Sequence, residues 1–317
     1  MMTQIALVAV GAGAAAALLF ASVASGSLLS IALFYLSPLP LLIAALGWSH
    51  WAAMMGAVGG AAALGVTLGG LYFFIFLAVA GLPAWWLGYL TMLARPKQPQ
   101  DGAAATLEWY PAGRLVIWAA LIGAGIVLIA IPNFGTDLES FHAGLRAALQ
   151  QLLTRENAAP SANIDQLIDF MTAALPPSAA ILATITSVLN LWLAARIVKF
   201  SGRLQRPWPD IAGMEFPRMV ALALGVTVVV SFAGGLVGVM AGVLAASLLI
   251  AYGVLGFAVL HAITRGLNSR SFLLAGTYAL VLVFGWPILA LCMLGLAETA
   301  IGIRFRFARK SGPPMQL

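Results

Sequence analysis

The run LVIWAALIGAGIVLIAI at 115–131, entered directly from Arg114, contains no charged, amide or hydroxyl side chain. At about 1.5 Å per residue such a helix covers most of a hydrocarbon core roughly 30 Å thick. Working outward from it, predominantly apolar runs fill 5–25, 28–46, 52–69, 71–93, 179–195, 219–233, 238–262 and 272–303. Only 8% of the 317 residues are charged, 62% are apolar, and the mean hydropathy is +1.01. A water-soluble domain carries roughly 25% charged residues. This chain lacks the polar side chains to cover a soluble globule, so its surroundings are lipid.

The few charges are sorted along the chain. Of 16 Lys and Arg, all but Arg146 and Arg155 fall in four segments, 95–114, 196–218, 265–270 and 304–310. The long polar connection at 133–176 instead holds Asp137, Glu139, Glu156, Asp165 and Asp169. Basic loops stay on the cytoplasmic side. The loops 95–114 and 199–217 are therefore expected to be cytoplasmic and 133–176 external. The block 272–303 is longer than one crossing needs. Two short crossings broken at Trp286-Pro287 return the basic tail to the cytoplasm.

The expectation is an all-α, polytopic integral membrane helix bundle forming a single domain, 1–317, with both termini cytoplasmic. Its count is about ten transmembrane helices, or eight to ten if the Gly-rich second and third segments are re-entrant. The first run ends in Ala-Ser-Val-Ala-Ser at 21–25, like a signal-peptidase site, but the first basic residue is Arg95. Without a basic n-region it reads as a retained helix.

In the polar connection, Leu138, Phe141, Leu145, Leu149 and Leu152 recur at three- and four-residue spacing, the mark of an amphipathic helix. Asn157 to Pro160 break it, and Ser161 caps a second helix with Ile164, Leu167, Ile168 and Met171 on one stripe. The segment 133–176 thus predicts an external amphipathic helical pair.

Several function classes are excluded. The net charge of +6 flanks apolar runs instead of forming a basic stripe on a soluble domain, so nucleic acid is not a partner. No GxxxxGK[ST], HExxH or GxSxG occurs, and His50, His142 and His261 lie in separate segments. No cofactor, metal site or catalytic residue is expected, and the chain does not read as an enzyme. The lone cysteine, Cys292, sits in an apolar run as a packed thiol.

The candidate binding site is the break in the second run, Phe34-Tyr35-Leu36-Ser37-Pro38-Leu39-Pro40. Two prolines remove amide donors, and the carbonyls they free are tolerated in lipid only against protein or a wet cavity. Broken helices of this kind build substrate sites in transporters, with a packing kink as the alternative. Tyr35 and Ser37 would supply polar contacts beside Pro38 and Pro40. Asn190, the clearest polar side chain inside a span, joins them as a candidate, or makes an interhelical hydrogen bond. Small residues at four-residue intervals, Gly13, Ala17 and Ala21, suit close helix packing inside the chain or docking against a partner's helix.

The motifs Tyr35-Leu-Ser-Pro38-Leu-Pro40, Trp109-Tyr110-Pro111-Ala-Gly113-Arg114 and Gly295-Leu-Ala-Glu298 followed by Arg304 resemble those of the bacterial YybS-like membrane proteins. That family, domain of unknown function 2232, is held to be distantly similar to the S components of energy-coupling-factor transporters and to the cell-shape protein MreD. The resemblance implies a small-solute pocket roofed by external loops and a first helix, with Gly13, Ala17 and Ala21, docked on a partner subunit. S components usually have six spans, fewer than expected here. The functional expectation is a solute-binding, transport-like protein without its own ATPase, in the lipid bilayer of the bacterial inner membrane that the resemblance implies, with a small-molecule solute and a membrane protein partner. The alternative is a non-catalytic scaffold or assembly factor for envelope or cell-shape machinery.

Overall fold

The structure, a computed structural model, describes residues 2–97, 106–155 and 162–310. Helices α1 (Met2–Ala21), α2 (Leu28–Tyr35), α3 (Leu39–Gly47), α4 (His50–Leu68), α5 (Gly70–Phe76) and α6 (Leu82–Met92) come first. A short antiparallel ribbon, β1 (Ala94–Lys97) with β2 (Thr106–Trp109), pairs Ala94 with Trp109 and Lys97 with Thr106. Then follow α7 (Ala112–Ala130), α8 (Leu138–Arg155), α9 (Ala162–Phe200), α10 (Arg218–Ser231), α11 (Gly235–Ile263), α12 (Arg270–Phe284), α13 (Ile288–Ile301) and α14 (Ile303–Lys310).

Among the described residues, seven segments are long and apolar enough to cross a membrane: Met2–Ser25, Leu28–Gly47, His50–Leu68, Gly70–Thr91, Ala112–Asn133, Ile164–Phe200 and Gly235–Ile263. Three shorter apolar helices, α10, α12 and α13, occupy the remaining runs. The chain is a helical, multi-pass membrane protein. The block 272–303 does split, with Gly285 at a φ of 70° ending α12 and Pro287 opening α13.

Within 95–114 lies the ribbon, which Arg95 and Glu108 link through a 2.8 Å ion pair. One expectation needs correction. The second amphipathic helix and the span at 179–195 are one helix, α9, running through Pro176 and Pro177. At about 1.5 Å per residue its 39 residues reach about 58 Å, well beyond one hydrocarbon core. Its first half is packed despite the two missing N–H groups. Ile168 is buried with Phe141, Leu145, Leu149 and Ile131, with Ile164 and Met171 alongside. Arg146 of α8 bonds Asp165 at 2.9 Å and also Asp169, so those carboxylates are tied down, not merely solvated. Leu152 and Leu167 are exposed and lie off the packed stripe. The break at 157–160 and the Ser161 cap fall outside the described residues.

Two compact units share the chain. One comprises Met1–Ala119 and Ile185–Pro209, the other Ala120–Thr184 and Asp210–Leu317, and α7 and α9 contribute to both. In the first unit α1 buries Ala9, Gly13, Ala16, Ala17 and Phe20 and leaves Leu7, Val10 and Leu18 exposed. A Cβ at Gly13 would overlap the Gly56 carbonyl, and one at Gly60 would lie 2.7 Å from the Gly13 oxygen. Lipid offers no hydrophobic drive between helices, so this backbone approach supplies the packing energy. In the second unit α11 is the most buried helix, and α13 packs along it through Gly253 and Cys292.

Candidate functional site

The predicted break is present, and its hydrogen bonds can be followed one carbonyl at a time. In an unbroken helix the N–H groups of residues 38, 39 and 40 would serve the carbonyls of Phe34, Tyr35 and Leu36. Pro38 and Pro40 have none. The Ser37 N–H donates to Phe34 O and the Leu39 N–H to Leu36 O, both at 3.0 Å. This shortens the turn and strands Tyr35 O. Asn190 of α9 fills the gap: its Nδ2 donates to Tyr35 O at 2.8 Å and to Thr186 O at 2.9 Å.

The structure therefore brings Tyr35 and Asn190 together, with Ser37 buried in the turn and Pro38 and Pro40 framing it. Asn190 is 3% exposed, and its Oδ1 has no hydrogen-bond partner among the described residues. What the arrangement visibly does is repair the backbone. Phe34 packs against Phe20, which meets Phe76 edge-on, so the turn sits on an aromatic cluster.

Gly13 and Ala17 of the proposed docking stripe are buried inside the first unit, where Gly13 meets α4, and Ala21 is half-buried. The stripe is largely consumed by the protein's own fold.

The same unit holds a buried cation that charge counting did not single out. Arg206 is 6% exposed and donates to Thr91 O at 2.9 Å and Tyr110 O at 2.8 Å. Burial pulls its guanidinium below its ordinary pKa. It pins the segment after α9 to both ends of the ribbon segment. Nearby, Trp118 Nε1 donates to the Tyr110 hydroxyl at 3.1 Å and Trp118 meets Trp86 edge-on. Trp85, Trp86, Trp118 and Tyr110 thus form one connected group.

The two cavities described are both in the second unit, and neither is lined by the residues of the break. The larger, of about 820 Å³, is bounded by Glu215, Phe216, Arg218, Leu255 and the segment 298–306, except Ile303. At its edge Arg304 is fully engaged. Its Nε donates to Glu298 Oε1 at 2.8 Å, Nη1 to Ala212 O at 2.6 Å and Nη2 to Met214 O at 2.9 Å. The Arg304 backbone N–H adds a 2.9 Å bond to Glu298 Oε2. The two side chains are only 15% and 11% exposed. The pair is close in sequence, whereas the loop carbonyls that complete it come from residues 90 and more positions away.

A volume near 820 Å³ is in the range of small-molecule sites. Glu215, Arg218, Thr299 and Arg306 leave charge of both signs on its walls. The smaller cavity, about 310 Å³, lies among Leu138, His142, Pro177, Ser231 and the glycines that open α11. Among the described residues no group of His, Cys, Asp and Glu is placed to hold a metal ion.

No curated protein and no solved structure matches the chain significantly. A family model described as "Predicted membrane protein (DUF2232)" matches residues 14–235, a stretch that contains the proline break, Asn190 and Arg206. The chain belongs to that family, the DUF2232 predicted membrane proteins.

Proposed function

We propose that this protein is a solute-binding, transport-like membrane protein without an ATPase of its own, and that the solute occupies the 820 Å³ cavity. The observation that carries this reading is the cavity's chemistry. An ion pair held rigid by four hydrogen bonds forms its edge, and Arg218, Glu215 and Thr299 line the remaining wall. Such a wall suits a small solute bearing both a negative and a positive or hydrogen-bonding group. The proline break, repaired by Asn190, then acts as a fixed bend in the scaffold.

Orientation follows the basic residues. Arg265 bonds Asp210 at 2.9 Å and Arg304 bonds the backbone at 212 and 214, so two basic segments meet one loop. With the positive-inside rule, that end is read as cytoplasmic. The scaffold alternative has less support, because docking through α1 would compete with the Gly13–Gly56 contact.

Native mass spectrometry of the gently extracted protein tests the proposal. The expected result is a small bound mass on the wild type that is lost from Arg218→Ala and Glu215→Gln. A stoichiometric protein with no small mass would overturn it in favour of the scaffold.

A further inference from the structure

We propose that the C-terminal end of α9, together with Trp48 and Trp208, is a binding site for the headgroup of an anionic phospholipid. Trp192, Arg196 and Lys199 are spaced by four and three residues and so share one face of the helix. The helix closes at Gly202, whose φ of 71° only glycine adopts cheaply. Gly202 N–H donates to Lys199 O at 3.0 Å and Arg203 N–H to Val198 O at 3.1 Å. That paired closure folds the chain back and adds Arg203 to the cationic end.

Each of the three cations is held by a ring. The Arg196 guanidinium lies 5.7 Å from the Trp192 centroid and 5.6 Å from that of Trp208. Lys199 Nζ is 4.8 Å from Trp208, and Arg203 is 4.6 Å from Trp48. All three cations are exposed. None of the ion pairs among the described residues uses them. Tryptophan faces orient the cations without neutralising them, because a ring quadrupole attracts a cation but carries no net charge.

The position selects the occupant. The span Ile164–Phe200 ends here, so three positive charges and three indole rings lie where apolar chain gives way to polar chain. Indoles favour the headgroup level, and a lipid phosphate lies at that depth. A net-negative headgroup gains from all three charges, whereas a zwitterionic one brings its own cation into the cluster. The complementary ligand is a lipid such as phosphatidylglycerol.

The test is lipid retention by native mass spectrometry in neutral detergent, titrating phosphatidylglycerol against phosphatidylcholine. The wild type is expected to retain phosphatidylglycerol preferentially. Removal of each cation is expected to weaken retention about fivefold. The variant Arg196→Gln, Lys199→Gln, Arg203→Gln should lose the preference, whereas Arg265→Gln, remote in sequence, should keep it. If the triple variant does not fold, the single changes Lys199→Gln and Arg203→Gln give the graded loss. Equal retention of the two lipids by the wild type would overturn the proposal, as would unchanged preference in the variants. Excess inorganic phosphate is the second arm: abolition of the preference would assign the site to free phosphate and not to a lipid.

Discussion

Asn190 donates a 2.8 Å hydrogen bond to the carbonyl of Tyr35, 155 positions earlier in the chain, and so closes the one backbone gap that Pro38 and Pro40 open. The change Asn190→Leu leaves that oxygen unpaired, at a cost of about 1–3 kcal/mol. A thermal melt in detergent should show the loss. In a Pro38→Ala, Pro40→Ala background the Leu39 N–H is free to return to Tyr35 O, so the Asn190→Leu penalty should shrink sharply. Equal penalties in both backgrounds would disconnect the side chain from the break.

Glycine positions on α1 differ in what surrounds them. Gly13→Leu drives a side chain into the α4 backbone at Gly56 and should cost about 3 kcal/mol or more, as overpacking at a rigid contact does. Gly11 has open space where its Cβ would be, so Gly11→Leu should be near neutral. Expression and melting of the two variants, side by side, distinguish internal packing from a docking face. A partner lost from Gly13→Leu without any loss of stability would restore the docking role.

Removing one half of the Glu298–Arg304 pair should hurt unequally. Arg304→Ala leaves a carboxylate 11% exposed without its cation and leaves the Ala212 and Met214 carbonyls bare, an expected loss of about 3–5 kcal/mol. Glu298→Gln keeps one acceptor oxygen for Arg304 and loses the other together with the charge, while the Ala212 and Met214 carbonyls stay paired, so its cost should be smaller. Equal melting temperatures for the two variants would argue against this ordering.

At the entrance to α8, Asp137 accepts from the Ser140 N–H at 2.9 Å and from its hydroxyl at 2.7 Å. These bonds hold the carboxyl below the usual range. A depressed folded-state pKa means the contribution is present at neutral pH and disappears as pH falls through the folded value. Ser140→Ala should raise that pKa, and an isotope-edited titration of the aspartate carboxyls reads the shift. No change would mean the backbone N–H alone sets it.

How much was legible varies with the range of the interaction. Apolar length and charge sorting are local, and they determined a helical membrane protein, most span positions, the broken second run and the split before α13. The α8 stripe was readable because Phe141, Leu145 and Leu149 repeat at the helical period. Pro176 and Pro177 locally favour an interruption, yet α9 runs through them, its first half packed at Ile168 and ion-paired to Arg146. Asn190 and Tyr35 could each be singled out by type, but their pairing across 155 positions has no periodic signal.

Arg206 shows the limit most plainly. In the sequence it is one of several cationic residues in a basic loop, whereas folding buries it against Thr91 O and Tyr110 O. Gly13 suits a partner or the chain itself by residue type, and only the tertiary structure sets it against Gly56. The reason is common to all of these cases. Transfer to lipid depends on the composition of each segment, which the order of residues contains directly. Satisfying a buried donor, acceptor or close backbone contact depends on a group brought from elsewhere in the chain, and only the folded arrangement selects it.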